Sequence, residues 1–282
     1  MNLDKDLAEF ASKKYGQNFL KNSLYIDKII QSMPNDDLHI VEIGPGLGDL
    51  TQALIGARDV TAFEVDERLC EHLNRTYDKF IRNGKLDLQC GDALEHWQKG
   101  TLVDKPYHLV ANLPYYIATR LILKALHDPY CQSILVMVQK EVALKFAATE
   151  GKRVFSSLGV LAQSAGEAKL LFEVEPEAFV PPPKVTSAVL SIVKSRSLQD
   201  LGFEDFLKKA FAQPRKKLSK NLSKSYDKAF IADIFGKIGL PDDTRPHEVK
   251  TSVYHQLYTY IKENTDAREQ KSKQTKKKSK PI

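Results

Sequence analysis

The chain has 282 residues, of which 42% are hydrophobic, and it carries a formal net charge of +6. A chain of this length is typical of one large domain or two, and its hydrophobic content excludes intrinsic disorder over most of its length. No uncharged apolar run approaches the about 18 residues of a membrane helix, and the first twenty residues lack the apolar centre of a signal peptide. We therefore expect a cytoplasmic protein without a membrane partner.

The charge is unevenly distributed along the chain. Residues 1–193 hold 21 basic and 25 acidic side chains, whereas residues 194–228 hold 10 basic and 4 acidic ones. A basic segment beside an acidic body is typical of a protein that binds a polyanion. The three cysteines, Cys70, Cys90 and Cys131, are widely separated and form no CxxC pair, which predicts neither a zinc ribbon nor a disulfide framework.

Strand and helix patterns alternate through the first half of the chain. Apolar residues recur at helical spacing over 22–33, and Pro34 ends that pattern. Strands are predicted over 39–43, 60–65, 85–89, 107–111 and 133–138, and helices over 50–55, 67–81 and 118–126. This alternation predicts an α/β fold with a doubly wound, mostly parallel sheet.

The pattern changes after residue 154. A helix is predicted over 156–164, and two late strands over 168–175 and 187–193 can pair antiparallel at the edge of the same sheet. Residues 202–262 have a helical pattern in three or four short pieces. We therefore predict three parts, namely a catalytic domain over 1–193, a small all-α domain over 194–261 and a disordered basic tail over 262–282.

The first strand is followed by a turn that contains Gly44, Gly46 and Gly48. Such a turn lets a ligand approach the backbone and the positive end of the next helix. The dinucleotide fingerprint GxGxxG has its third glycine one residue later, at the place that Asp49 occupies here. Because a carboxylate there would repel a pyrophosphate, the turn favours a ligand without a diphosphate, although a purely structural tight turn remains an alternative.

Two acidic residues stand where the next two strands end. Glu64 can accept hydrogen bonds from both hydroxyls of a ribose, and Asp92 can accept one from the amino group of adenine. Taken alone, Glu64 could be an ordinary solvated carboxylate at a strand end. Together with the glycine turn they indicate an adenosine without phosphates, and S-adenosylmethionine fits that description.

The fourth strand ends in Asn112-Leu113-Pro114-Tyr115. The amino nitrogen of adenine is a poor nucleophile, because its lone pair is delocalised into the ring. The Asn112 amide oxygen and a backbone carbonyl of the turn can accept the two amino hydrogens and so aim the lone pair at a methyl donor. Pro114 stiffens the turn, and Tyr115 offers a face on which the base can stack.

Over residues 14 to about 262 the chain resembles the KsgA (RsmA) ribosomal RNA adenine dimethyltransferases. The motifs that carry the resemblance lie at 15–20, 42–48, 64–66, 91–93, 112–115, 179–187 and 211–217. The resemblance implies a Rossmann-like domain that binds S-adenosylmethionine, followed by a small helical domain. It also implies that the enzyme places two methyl groups on N6 of each of two adjacent adenosines, in the 3′-terminal hairpin of the small-subunit (16S) ribosomal RNA, without a metal.

The resemblance also implies residue roles. Asn18 and Leu20 would contact the methionine end of the cofactor, Gly44 and Gly46 would lie under it, and Glu64 and Asp92 would bind its ribose and adenine. Asn112 would lie between the cofactor and the target base. Phe179 would stack on that base opposite Tyr115.

Five basic residues are candidates for contact with the RNA backbone. Arg215, Lys216, Lys217 and Lys220 lie close together on a predicted helix, and Lys184 follows Phe179 in the motif at 179–187. The alternative is an ordinary solvated helix face. The lysine-rich tail could add loose RNA affinity or simply raise solubility.

Three other functions remain open at this point. The Erm methyltransferases share this fold and much of the Asn112–Tyr115 motif but modify large-subunit RNA. A ribosome-assembly factor with secondary catalysis is a second alternative. A nucleotide-dependent oxidoreductase is disfavoured by Asp49. We expect a monomer.

Overall fold

The computed structural model describes residues 11–98 and 100–278. The chain divides into two compact units, one of Met1–Ala147 with Ala162–Gln199 and the other of Ala148–Leu161 with Asp200–Ile282. The predicted boundary at 193 thus lies a few residues before the division, and the segment 148–161 belongs to the second unit rather than to the first.

The first unit is built on a seven-stranded sheet. The strands of this unit, including two that lie outside that sheet, are in chain order β1 (Phe19–Leu20), β2 (His39–Ile43), β3 (Val60–Glu64), β4 (Leu86–Cys90), β5 (Tyr107–Asn112), β6 (Cys131–Gln139), β7 (Gly166–Val174), β8 (Phe179–Val180) and β9 (Ser187–Lys194). The order across the sheet is β4-β3-β2-β5-β6-β9-β7, in which β2 to β6 are parallel and β9 is antiparallel to both neighbours. β1 and β8 form a separate antiparallel pair. The predicted sheet and its two late edge strands are confirmed.

Helices connect the parallel strands. They are α1 (Ser23–Gln31), α2 (Asp49–Ala57), α3 (Glu67–Thr76), α4 (Asp78–Arg82), α5 (Ala93–Trp97), α6 (Ala118–His127) and α7 (Lys140–Ala147), and α8 (Ser157–Ala165) has residues in both units. The central strands are apolar because helices cover both faces of a doubly wound sheet, and every residue of β3 is buried. The carboxyl ends of β2 to β5 therefore meet at one edge, where polar residues can gather.

The single helix predicted over 67–81 is two helices, because the chain turns at Tyr77. The Tyr77 ring is buried, and its hydroxyl donates a hydrogen bond of 2.7 Å to the carbonyl of Gly48. The helix thus breaks where one side chain is needed to support the glycine turn. No local pattern in the sequence marks that long-range contact.

A disulfide joins Cys70 on α3 to Cys90 at the end of β4, with their Cα atoms 5.9 Å apart. The prediction of no disulfide was wrong for this pair. Cysteines that stand twenty residues apart in the chain become neighbours because α3 leads from β3 to the adjacent strand β4. Cys131 is free and buried.

The second unit is helical, as predicted. Its further helices are α9 (Leu201–Ala210), α10 (Leu218–Leu222), α11 (Lys228–Ile238) and α12 (Thr251–Lys278). Aromatic rings form its core, with the Tyr254 ring centroid 5.3 Å from that of Phe211 and 6.4 Å from that of Phe206. The Tyr254 hydroxyl donates to the carbonyl of Pro246 at 2.6 Å.

The last helix extends further than we predicted. α12 continues through Lys278, whereas we expected disorder from residue 262. Lysine, glutamine, glutamate and arginine all have good helix propensity, so a polar composition without apolar periodicity does not exclude a helix. Residues 279–282 of the predicted tail lie outside the described residues. Within the described ranges, no helix is both long and apolar enough to cross a bilayer.

Candidate functional site

A cavity of about 230 Å³ lies in the first unit, at the carboxyl ends of the parallel strands. Open α/β sheets bind ligands at this edge. The wall of the cavity includes most of the residues that the sequence singled out, namely Asn18, Leu20, Gly44, Gly46, Glu64, Asp92, Asn112, Leu113, Pro114 and Tyr115. The fold thus brings together in one place motifs that are spread over about a hundred residues of the chain.

The glycine turn after β2 has little room for side chains. Gly44, Gly46 and Gly48 have φ angles of 72°, 64° and 93°, which favour glycine. A Cβ on Gly46 would lie 3.1 Å from the Phe19 ring, and one on Gly48 would lie 2.6 Å from the Tyr77 ring. The backbone of this turn is therefore exposed to a ligand in the cavity and supported from behind by two aromatic rings.

Glu64 ends β3 with its carboxylate held by two backbone amides. The Gly46 amide donates to Oε2 at 3.1 Å and the Asp66 amide donates to Oε1 at 2.9 Å. The residue is only 4% exposed, and burial raises the pKa of its carboxyl. These contacts fix the orientation of the carboxylate, and each oxygen keeps a second lone pair for a ligand hydroxyl.

Asp92 follows β4 and caps α5. Its Oδ1 accepts a hydrogen bond of 2.8 Å from the Leu94 amide. Its second carboxylate oxygen makes no hydrogen bond within the part of the chain that the structure describes, and the residue is exposed at the cavity wall. Asp92 can therefore cap the helix and accept from a ligand at the same time.

Two side-chain hydrogen bonds fasten the segment 15–20 to the cavity wall, and the sequence predicts neither of them. The Gln17 Nε2 donates to Asp66 Oδ2 at 3.0 Å, and the Asn112 Nδ2 donates to the carbonyl of Asn18 at 3.2 Å. β1, at the end of this segment, pairs with β8. The residue types alone, Gln and Asp separated by 49 positions, give no signal of this contact.

Asn112 stands at the end of β5, whose ladder with β6 is extended by a 3.0 Å bond from the Leu113 amide to the carbonyl of Met137. The donor half of the Asn112 amide is engaged by Asn18, which leaves the amide oxygen as the acceptor. The Tyr115 hydroxyl and Ser187 Oγ are 2.6 Å apart, so the ring of Tyr115 is held from its far end.

Phe179 does not line the cavity. It is 2% exposed, packs in the core and pairs as part of β8 with Leu20 of β1. The expectation that Phe179 presents a stacking face opposite Tyr115 is therefore not met in this structure, because the same apolar ring is used to hold β1. Tyr116, which the sequence analysis passed over, does line the cavity and is 61% exposed.

Two further acids belong to the cavity wall. Glu42 is 1% exposed, accepts a 2.6 Å hydrogen bond from the Thr51 hydroxyl, and has its pKa raised to about 8 by burial. Asp49, which we expected to repel a pyrophosphate, forms an ion pair of 2.7 Å with Lys21.

Within residues 11–98 and 100–278, no group of three or more His, Cys, Asp or Glu side chains is arranged to hold a metal ion.

The predicted RNA contacts lie elsewhere in the chain. Lys184 is exposed in the loop between β8 and β9. Arg215, Lys216, Lys217 and Lys220 line an open depression in the second unit, together with Arg245. The single helix predicted for this group was wrong, because only Lys220 lies on α10 and Pro214 leaves residues 211–217 in turns. Lys217 forms a 3.0 Å ion pair with Asp242.

Comparison with known proteins identifies the family. The family model of the ribosomal RNA adenine dimethylases matches residues 9–263. A relative from Sulfurimonas denitrificans, named ribosomal RNA small subunit methyltransferase A, is 53% identical over 259 residues, which are 92% of this chain and 97% of that protein. A protein of the same name from Campylobacter jejuni (strain RM1221) is 46% identical, over 90% of this chain and 96% of its own.

Solved structures show the same fold. A dimethyladenosine transferase from Plasmodium falciparum has a TM-score of 0.71 at 24% identity, over 85% of this chain and 95% of that one. The 23S rRNA methyltransferase ErmE has a TM-score of 0.66 at 21% identity, over 87% and 100%. With the family model matched over most of its length, the chain belongs to the ribosomal RNA adenine dimethylases.

Proposed function

We propose that this protein transfers methyl groups from S-adenosylmethionine to N6 of two adjacent adenosines, in the 3′-terminal hairpin of small-subunit (16S) ribosomal RNA. The observation that carries the proposal is the meeting of the Asn112–Tyr115 turn with Glu64 and Asp92 in one cavity. The choice of the small subunit rests on the printed names of relatives that are 53% and 46% identical to this chain.

The residues of the cavity fit S-adenosylmethionine. Its net positive charge suits a wall that contains the carboxylates of Asp49, Glu64 and Asp92. Glu64 would bind the ribose hydroxyls, and Asp92 would bind the adenine amino group. The methionine end would contact the backbone at Gly44 and Gly46, together with Asn18 and Leu20. When bound, the cofactor supplies an electrophilic sulfonium methyl group.

The chain itself acts by positioning. The Asn112 amide oxygen and the Leu113 carbonyl accept the two hydrogens of the target amino group, which directs the nitrogen lone pair toward the methyl. Asn112 can do this in one orientation only, since its NH₂ group donates to Asn18. Tyr115, anchored through Ser187, offers the stacking face, and its π electrons favour the positive charge that develops on the base. The amino proton leaves to solvent.

RNA affinity is assigned to residues away from the reacting atoms. We assign contacts with the phosphate backbone to Lys184 and to the group Arg215, Lys216, Lys217 and Lys220. Because such contacts release counterions, they give affinity that falls with salt.

The test is transfer of labelled methyl to purified, under-methylated small subunits, with large-subunit RNA in parallel. The products are digested to nucleosides. Label in N6,N6-dimethyladenosine from small-subunit RNA alone would support the proposal. Label from large-subunit RNA alone would give the protein the activity named for ErmE. No label from either, with the cofactor bound, would favour an assembly factor.

A further inference from the structure

The cavity wall is strongly biased in charge. Its described lining residues include the carboxylates of Asp49, Glu64 and Asp92 but a single cation, Arg120. The sulfonium and ammonium groups of the cofactor are attracted by the carboxylates, and only the cofactor's own carboxylate could pair with a guanidinium. The phosphates of the second substrate are the other anions that Arg120 could bind.

Arg120 lies on the first turn of α6, five residues after Tyr115, and is exposed. It makes no ion pair or hydrogen bond with any other part of the chain that the structure describes. Other cations near the cavity are engaged, since Lys21 pairs with Asp49 and Arg68 with Asp66. Arg120 is thus a cation at the cavity wall that is available to a ligand.

The position of Arg120 matches the approach of the RNA. The turn that precedes α6 carries Asn112 and Tyr115, the residues assigned to the target base, so a nucleotide bound there lies next to the start of α6 and a flanking phosphate can come within reach of a long guanidinium side chain. A guanidinium binds phosphate oxygens through two parallel hydrogen bonds, which fixes direction as well as distance. The exposed side chain of Tyr116 lines the same cavity as Arg120.

We propose that Arg120 binds a phosphate that flanks the target adenosine and thereby positions the base against Asn112. This inference rests on the proposed function, because it presupposes an RNA substrate. The carboxylate of the cofactor's methionine end is an anion of similar chemistry, and the experiment must therefore separate the two ligands.

The experiment compares wild type with Arg120→Ala, Arg120→Lys and the control Arg82→Ala. Arg82 is an exposed arginine of the same unit that does not line the cavity, and it pairs with Asp78. Four quantities are measured: methyl transfer to a small-subunit RNA hairpin, RNA Kd at several salt concentrations without turnover, cofactor Kd and Tm.

We expect Arg120→Ala to raise the KM and Kd for RNA by about tenfold, which is typical of one lost charged contact. The slope of log K against log[salt] should fall by about 0.7 to 0.9. The cofactor Kd should stay within twofold of wild type and the Tm within a few degrees, whereas kcat at saturating RNA should fall, because the base is held less firmly against Asn112. Arg120→Lys should restore the salt slope but only part of the KM, because an ammonium lacks the bidentate geometry. Arg82→Ala should resemble wild type.

Two results would overturn the inference. An unchanged RNA Kd and salt slope in Arg120→Ala would remove the phosphate contact. A raised cofactor Kd with unchanged RNA Kd would give Arg120 to the cofactor carboxylate instead. If wild type binds the RNA but transfers no methyl, the proposed function fails, and the RNA Kd of the variants still decides whether Arg120 contacts phosphate.

Discussion

Among the described residues, the Asn112 amide has a partner on its NH₂ side, the carbonyl of Asn18, and this bond fastens the segment 15–20. Its oxygen is the acceptor that we propose for the target amino group. We predict that Asn112→Ala lowers kcat on the order of 10²–10³-fold, the range found when one preorganised polar contact to reacting atoms is removed. Loss of the bond to Asn18 should weaken cofactor binding by about fivefold, corresponding to about 1 kcal/mol.

Labelled methyl transfer and calorimetric cofactor binding measure these two effects separately. Asn83→Ala is a suitable control, since Asn83 lies in an exposed turn and its side-chain oxygen accepts a hydrogen bond from the Lys85 amide. Near-normal methylation by Asn112→Ala would refute the role of Asn112. Loss of turnover together with complete loss of cofactor binding would point to a collapsed cavity instead.

Glu42 makes the stability of the protein depend on pH. Burial raises the pKa of its carboxyl from 4.5 to about 8, so the folded protein keeps a proton that the unfolded chain releases between these values. The contribution of Glu42 to the free energy of unfolding is fully present below pH 4.5 and is lost as the pH rises toward 8. Glu42→Gln cannot titrate. We predict that wild type loses stability relative to this variant across that window, by an amount on the order of a few kcal/mol.

Urea unfolding of both proteins between pH 4.5 and 9, without cofactor, measures this difference. Taking the difference between the two proteins cancels the other titrating groups that they share. A difference in unfolding free energy that stays flat with pH would show that Glu42 titrates normally.

At the scale of elements, the glycine turn depends on the break between α3 and α4. The break puts the Tyr77 ring behind Gly48, and the hydroxyl satisfies the carbonyl of that residue. Tyr77→Phe keeps the ring but leaves the carbonyl without its partner, at a cost of about 1–3 kcal/mol when the group is buried. We predict lower stability by that amount and weaker cofactor binding, because the turn is less firmly held.

Tyr130→Phe is the matched control, since Tyr130 is partly exposed and far along the chain from this turn. Urea unfolding measures the stability and calorimetry the cofactor Kd. If Tyr77→Phe matched the control in both measurements, the hydroxyl would have no part in supporting the turn.

The parts of this molecule that could be predicted are those encoded locally. The strands follow from short apolar runs, and the turn follows from its three closely spaced glycines. The residues of the cavity follow from the rule that parallel strands end at one edge of the sheet. What could not be predicted depends on contacts between distant residues. The bond from Tyr77 to Gly48, the disulfide of Cys70 with Cys90 and the burial of Phe179 under β1 are of this kind.

The prediction of one helix for the basic residues 215–220 failed for a related reason. Lysine and arginine have good helix propensity, but Pro214 prevents a continuous helix over residues 211–217, so propensity and backbone restriction point in opposite directions there. In the structure the group is gathered by tertiary contacts, with the Leu218 amide donating to the carbonyl of Thr244 at 2.8 Å.

At the scale of the whole molecule, charge is segregated along the chain. Residues 1–193 are net acidic, and most of the basic excess follows them. The acidic cavity suits a cationic cofactor, and the basic depression of the second unit suits a polyanion. The two ligands would therefore respond differently to salt. The affinity for RNA falls as the salt concentration rises, because binding releases counterions, whereas the affinity for the small cofactor changes little.

We predict that replacing Arg215, Lys216 and Lys220 by Ala lowers the slope of log K against log[salt] for small-subunit RNA by about 2 to 3, because three phosphate contacts contribute about 0.7 to 0.9 each. Lys217 is left in place, since its ammonium already pairs with Asp242. The cofactor Kd should be unchanged, because no residue of the depression lines the cavity.

The control is Lys208, Lys228 and Lys237 replaced by Ala, which removes the same charge from other exposed positions of the second unit. RNA binding is measured between 50 mM and 300 mM salt. If only the long-range attraction of the protein's net charge mattered, both triple variants would lose RNA affinity equally. A slope reduced in the first variant and kept in the control assigns the contacts to the depression. Equal slopes in the two variants would mean that only the net charge of the protein attracts the RNA, and the assignment of Arg215, Lys216 and Lys220 would then be withdrawn.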